Sequence, residues 1–176
     1  MIDFGTILAA MGAIGAFYFV LFNRHKPSEW LSPHYRIVDF LRSADVPKLQ
    51  RYRLRENEFD NLKILVDRVF EPMTNRFGRP TITSGGRPQS VADFVTLLRK
   101  KGYHAVDNSQ HNDFAAADFT YGSPVLDRAA YVYLQHIPEV LQLILTEKAG
   151  KSYIHVSIYD PSRPNLPKVR RVDVDE

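Results

Sequence analysis

The apolar and polar positions divide the chain into an uncharged N-terminal run and a longer mixed region. No residue from Phe4 to Asn23 is charged, and Gly5 to Phe22 is almost wholly apolar. Roughly 20 apolar residues carry a helix across a bilayer core, so this stretch is just long enough to be a membrane anchor. Ala9, Gly12, Ala13 and Ala16 recur at helical spacing and would let a neighbouring helix, including a second copy, approach closely. The start Met1-Ile2-Asp3 lacks a basic region and no small-x-small site follows the run, which argues against a cleaved signal peptide. The alternative is a buried core or subunit-packing helix.

Beyond the run, a helix is expected over Asn57 to Phe77, where Phe59, Leu62, Leu65, Val66, Val69, Phe70, Met73 and Phe77 define one stripe. Thr81 to Ser84 reads as a short strand stopped by Gly85-Gly86. A second helix is expected over Ser90 to Lys101, ended by Gly102, and a strand over Ala115 to Thr120. A third helix, Pro124 to His136, stops before Pro138. Val140 to Glu147 and Ser152 to Tyr159 read as a closing hairpin. Helices on one side of a small, mainly antiparallel sheet, preceded by a hydrophobic helix, make the fold class α+β. The expected organisation is an anchor over 1–26, a Pro-containing linker over 27–36 with Trp30 near the membrane boundary, one domain over 37–160, and a proline-rich tail over 161–176 that wraps the surface or contacts a partner.

Composition narrows the chemistry. The chain of 176 residues has no cysteine, so disulfides and thiolate ligands are excluded, and His, Asp and Glu are the strong metal ligands available. The net charge of +3 is modest. Basic stretches such as Arg99-Lys100-Lys101 and Lys168-Val169-Arg170-Arg171 read as solvated faces, or as contacts to an anionic wall. No basic patch interleaved with aromatics argues for nucleic acid.

Two short segments carry the candidate chemistry. One is Ser109-Gln110-His111-Asn112-Asp113-Phe114-Ala115-Ala116-Ala117-Asp118, and the other is Tyr153-Ile154-His155-Val156-Ser157. Spacing alone does not single these residues out, because a lone histidine in an apolar strand is more often a hydrogen-bonded core residue than a ligand. Their surroundings do. The first segment resembles Ser-x-His-x-x-Gly-x-Ala-x-Asp of the zinc D-Ala-D-Ala carboxypeptidases and phage endolysin peptidases, relatives of the hedgehog signalling domain. The second resembles their closing His-Val-Ser motif. Upstream, Pro80-Thr81-Ile82-Thr83-Ser84-Gly85-Gly86-Arg87 is similar to the family's Ile-Thr-Ser-Gly-Tyr-Arg segment. Together the motifs cover about residues 37–160.

The resemblance implies one zinc ion on His111, Asp118 and His155. A three-ligand set leaves one tetrahedral position open, as catalytic zinc requires. It further implies peptidoglycan peptide as substrate, with Arg87 holding a substrate carboxylate. Ser109 would add a hydrogen bond to substrate or merely begin a turn. A phage-encoded protein, associated with a bacterial membrane or a virion and its proteins, fits this family. Two positions depart from its pattern: Phe114 stands where the family has glycine, which implies a different backbone path between the ligands, and Gly86 stands where it has tyrosine.

The general base is the third question. The family's acid three residues before the last histidine is Ser152 here, and Glu147 is the substitute that hedgehog-like members suggest. Side chains alternate along a strand, so Glu147 shares a face with His155 only if an odd loop pairs it with Tyr153. An even loop turns it away. His104 is a further candidate to line the cleft. Arg24, His25 and Lys26 follow the apolar run, so the positive-inside rule places the domain in the cytoplasm. A wall hydrolase faces the other way, unless the helix is released or sits in the membrane of a virus particle. The non-enzymatic alternative is a structural or binding protein that kept the fold after losing catalysis.

Overall fold

Leu62, Leu65, Val66, Val69, Phe70 and Met73, spaced at three and four residues, are all buried. They form the inner stripe of one nearly continuous helical rod in the computed structural model, which describes residues 24–41, 47–88, 100, 109–159, 165 and 168–175. The rod runs as α1 (Glu56–Leu65), a π-helical stretch (Val66–Phe70) and α2 (Glu71–Phe77). Pro72 has no N–H for the helical ladder, and the widened turns just before it accommodate the loss. The rod ends at Gly78, whose φ of 85° suits glycine.

Five strands follow the rod: β1 (Thr81–Ser84), β2 (Ala116–Thr120), β3 (Val140–Lys148), β4 (Lys151–Ile158) and β5 (Val169–Asp175), with helix α3 (Pro124–Leu134) between β2 and β3. Ser123 caps α3 and Pro124 occupies its first turn, where a missing N–H costs nothing. The sheet order is β1-β2-β4-β3-β5. All neighbours are antiparallel except β3 and β5. The expected α+β class with a mainly antiparallel sheet is therefore present.

Alternation gives the sheet two unlike faces. Phe119, Leu143, Leu145, Ile154 and Val156 lie on one face and pack in the core with the rod and with Ala130, Tyr131 and Leu134 of α3. Phe70 meets Phe119 edge to face at 5.5 Å. Asp118, His155, Ile144, Thr146 and Tyr153 belong to the other face, where burial is less complete and Tyr153 is exposed. One face thus supplies hydrophobic stability and leaves the other more accessible.

A buried carboxylate ties α3 to the core side. Asp127 accepts from Thr120 Oγ1 at 2.8 Å, the Tyr121 N–H at 2.7 Å and Ser152 Oγ at 2.6 Å. Asp127→Asn replaces an accepting oxygen by a donor that faces other donors. It should cost about 1–2 kcal/mol, read as a lower urea midpoint with an unchanged slope.

Two expectations change. Val169–Asp175, assigned to the tail, is the fifth strand, and its parallel pairing with β3 extends the sheet. Residues 27–36, expected as a linker, are built into the domain: Leu31 and Tyr35 are core residues, and the Tyr35 hydroxyl bonds Thr74 Oγ1 at 2.6 Å. Trp30 is exposed, with the Arg36 guanidinium 4.0 Å above its ring. The apolar run 5–22, almost all of the helix expected at 90–101, and His104 lie outside the described residues. Among the described residues no helix is long and apolar enough to cross a membrane.

Candidate metal centre

Asp118 and His155 are Cα partners across β2 and β4, so strand pairing alone sets their side chains on the same face. His155 Nδ1 lies 2.8 Å from Asp118 Oδ1. His111 comes from a 3₁₀ turn, Gln110–Asp113, and its Nε2 lies 3.4 Å from both Asp118 Oδ1 and His155 Nδ1. The three expected ligands therefore converge.

Their spacing can be compared with an ion. Zinc–nitrogen and zinc–oxygen bonds of about 2.0–2.2 Å place neighbouring tetrahedral ligands about 3.3–3.5 Å apart. The triangle of 3.4, 3.4 and 2.8 Å is close to that, with the short edge being a hydrogen bond between Asp118 and His155. The donor types also fit, because two imidazoles and a carboxylate suit zinc and ferrous iron alike.

The turn bearing His111 is fixed from several sides. Ser109 Oγ accepts from the His111 N–H, Asn61 Nδ2 donates to the Asp113 carbonyl at 3.0 Å, and Gln110 Nε2 donates to the Ile158 carbonyl at 3.1 Å. Of its two expected roles, Ser109 fills that of starting the turn. His111 Nδ1 lies 2.8 Å from the Gly85 carbonyl oxygen. A carbonyl only accepts, so Nδ1 carries a proton, and a metal at the centre would meet the lone pair of Nε2. Burial works against ionisation of Asp118, but the charge and hydrogen bonds of His111 and His155 outweigh it and hold the carboxyl well below the usual carboxylate range.

Phe114 corrects an expectation. Its φ of 60° and ψ of 21° are left-handed, the region glycine enters without strain. The backbone path between the ligands is therefore one a glycine would also take. The ring finds room because Gly86 lacks a side chain: a Cβ placed at Gly86 would lie 1.9 Å from Phe114 Cε1. The two departures from the family pattern fill one space between them.

Glu147 does not join the centre. The β3–β4 turn is Ala149-Gly150, with φ of 46° and 76°, as a two-residue hairpin of positive φ requires. This even loop pairs Glu147 with Ser152, whereas His155 pairs with Ile144. Both Glu147 and Ser152 consequently sit on the helix side of the sheet. Glu147 accepts two hydrogen bonds from Arg128, at 2.6 and 2.7 Å, which hold its carboxyl below the ordinary range, and Ser152 donates to Asp127. The assignment of Glu147 as general base is corrected on this geometry. General bases contribute about 10²–10⁴ in rate, so any hydrolysis by Glu147→Gln should stay within about twofold of wild type in a peptide-release assay.

Arg87 lies beside the centre. Its guanidinium is 3.7 Å from Asp118 Oδ2 and donates to Ser84 Oγ at 2.8 Å. Burial lowers its pKa against the pull of Asp118. Gly85, Asn61 and Gln110, which orient or anchor the His111 turn, were missed by sequence reasoning. Only the glycine pair carried a signal, as a strand stop.

Protein-family models, curated proteins and solved structures were all compared with this chain, and none matches. The class is therefore defined by the fold and the centre themselves: an α+β domain with a candidate mononuclear His₂Asp metal centre on the open face of its sheet.

Proposed function

We propose that the protein is a mononuclear zinc peptidase that cuts peptide bonds of peptidoglycan, of the D-Ala-D-Ala carboxypeptidase or endopeptidase type, and that it is phage-encoded and works at a membrane or on a virion. The observation that carries this reading is the convergence of His111 Nε2, Asp118 Oδ1 and His155 Nδ1 within a few ångströms, in segments that resemble the motifs of that family. The same donor set would accept ferrous iron; the motifs argue for zinc.

Zinc held there would supply Lewis-acid polarisation of a scissile carbonyl and make water more acidic. The chain's own residues provide the frame. The Gly85 carbonyl fixes the His111 tautomer, and Asp118 stays ionised. Tyr153, two residues before His155 and on its face, presents an exposed phenol to the open side. It would offer a hydrogen-bond donor to a bound peptide.

One observation favours a second reading, a zinc-binding module of a virion or membrane assembly without catalysis. Glu147, expected as the base, and Ser152, which stands where the family has its acid, both face the helices. Incubating the full chain with purified peptidoglycan, in zinc or in chelator, separates the two. Chelator-sensitive release of new amino termini is the expected result. One equivalent of bound zinc with no release supports the module, and no bound zinc removes both.

A further inference from the structure

The segment Ser84 to Arg87 meets two of the three ligands: it bonds His111 twice and lies beside Asp118. The Gly85 carbonyl oxygen faces His111 Nδ1, and the Arg87 N–H donates to the His111 carbonyl at 2.8 Å. Ser84 is the Cα partner of Asp118 across β1 and β2. The segment is itself secured, since the Gly86 N–H donates to the Phe40 carbonyl at 2.9 Å.

Resting on the zinc reading above, we propose that Arg87 is a positioning residue for the metal ligand Asp118, and that it does not serve as the clamp for a substrate carboxylate. The Asp118 carboxylate is divided between two duties. Oδ1 is the oxygen nearest both imidazoles, whereas Oδ2 faces the Arg87 guanidinium. Arg87 is 17% exposed and already donates to Ser84 Oγ, so little of its fork is open to a ligand from solvent. A planar guanidinium held in this way biases Asp118 toward offering one oxygen to the centre. Its positive charge repels a dication, but the carboxylate it orients offsets that repulsion. Outer-shell partners of this kind commonly contribute about 10–100-fold to metal affinity.

The test uses the full chain and metal alone. Zinc dissociation constants are measured by competition with a chromophoric chelator for wild type, Arg87→Gln, Arg87→Lys and Asp118→Asn, with circular dichroism as the check on folding. Visible spectra of the cobalt(II)-substituted proteins are recorded alongside. The expected result for Arg87→Gln is zinc binding weakened about 10–100-fold, with a weaker cobalt d–d band as Asp118 swings toward bidentate ligation. Arg87→Lys, which keeps the charge, should recover part of both. Wild-type affinity and spectrum in Arg87→Gln overturn the proposal and return Arg87 to the substrate. If wild type holds zinc no better than Asp118→Asn, the zinc reading itself fails and the proposal falls with it.

Discussion

Replacing His155 by alanine should abolish tight zinc binding, and with it any peptidoglycan hydrolysis, while the fold persists. Loss of an outer-shell partner costs about 10–100-fold in affinity, and loss of a direct ligand, which leaves only His111 and Asp118, should cost far more. Folding should survive because His155 lies on the open face, and the core side of β4 is carried by Ile154 and Val156. If the three residues were only a hydrogen-bonded cluster, removing His155 would lose its bond to Asp118, about 0.5–1.5 kcal/mol or somewhat more for a charged acceptor, and wild type would hold no zinc to lose. Zinc content after gel filtration, with thermal unfolding of both proteins, distinguishes these results.

The second large effect concerns Gly86 and Phe114. Gly86→Ala places a methyl carbon 1.9–2.4 Å from three atoms of the Phe114 ring. That ring is fully buried and stacked on Tyr52 at 6.0 Å, so it has little room to yield. Overpacking of this kind costs about 1–3 kcal/mol or more. Phe114→Gly relieves left-handed backbone strain of about 1–2 kcal/mol but empties the site of a buried phenylalanine, a loss of about 3–5 kcal/mol for truncation to alanine. Combined as Gly86→Tyr with Phe114→Gly, one aromatic ring is moved across the gap, and the double variant should be more stable than the sum of the singles by about 1–3 kcal/mol. Urea unfolding of wild type, Gly86→Tyr, Phe114→Gly and the double variant measures this coupling. Additivity within about 0.5 kcal/mol would show that the two positions do not share one space.

Where period and punctuation act together, the elements were legible. Thr81–Ser84 is bounded by Pro80 and Gly85 and matches its expected span, and the stripe from Leu62 to Met73 identifies the rod despite Pro72. The candidate ligands were legible from motif resemblance, and strand pairing explains why Asp118 and His155 meet. Other features depend on tertiary contacts that no local pattern records. Leu31 and Tyr35 sit in a segment without period, so their burial could not be read. In β5, Val172 and Val174 alternate with charged residues yet remain exposed, and the preceding prolines suggested a tail. The side occupied by Glu147 turned on one residue of loop length: Ala149-Gly150 carries no Asn-Gly signature, and only its two positive φ angles fix the even count. Gly86 and Phe114 each read as a defect in sequence, because complementarity between them exists only in space.

X-ray absorption at the zinc edge, on the full chain loaded with one equivalent of zinc, reads the His111, Asp118 and His155 ligand set itself. A low-coordinate centre with two imidazoles and carboxylate oxygen at about 2.0–2.2 Å is expected, with loss of one imidazole contribution in the His111→Ala protein. A shell of oxygen alone, or a spectrum unchanged by removal of His111, would contradict it.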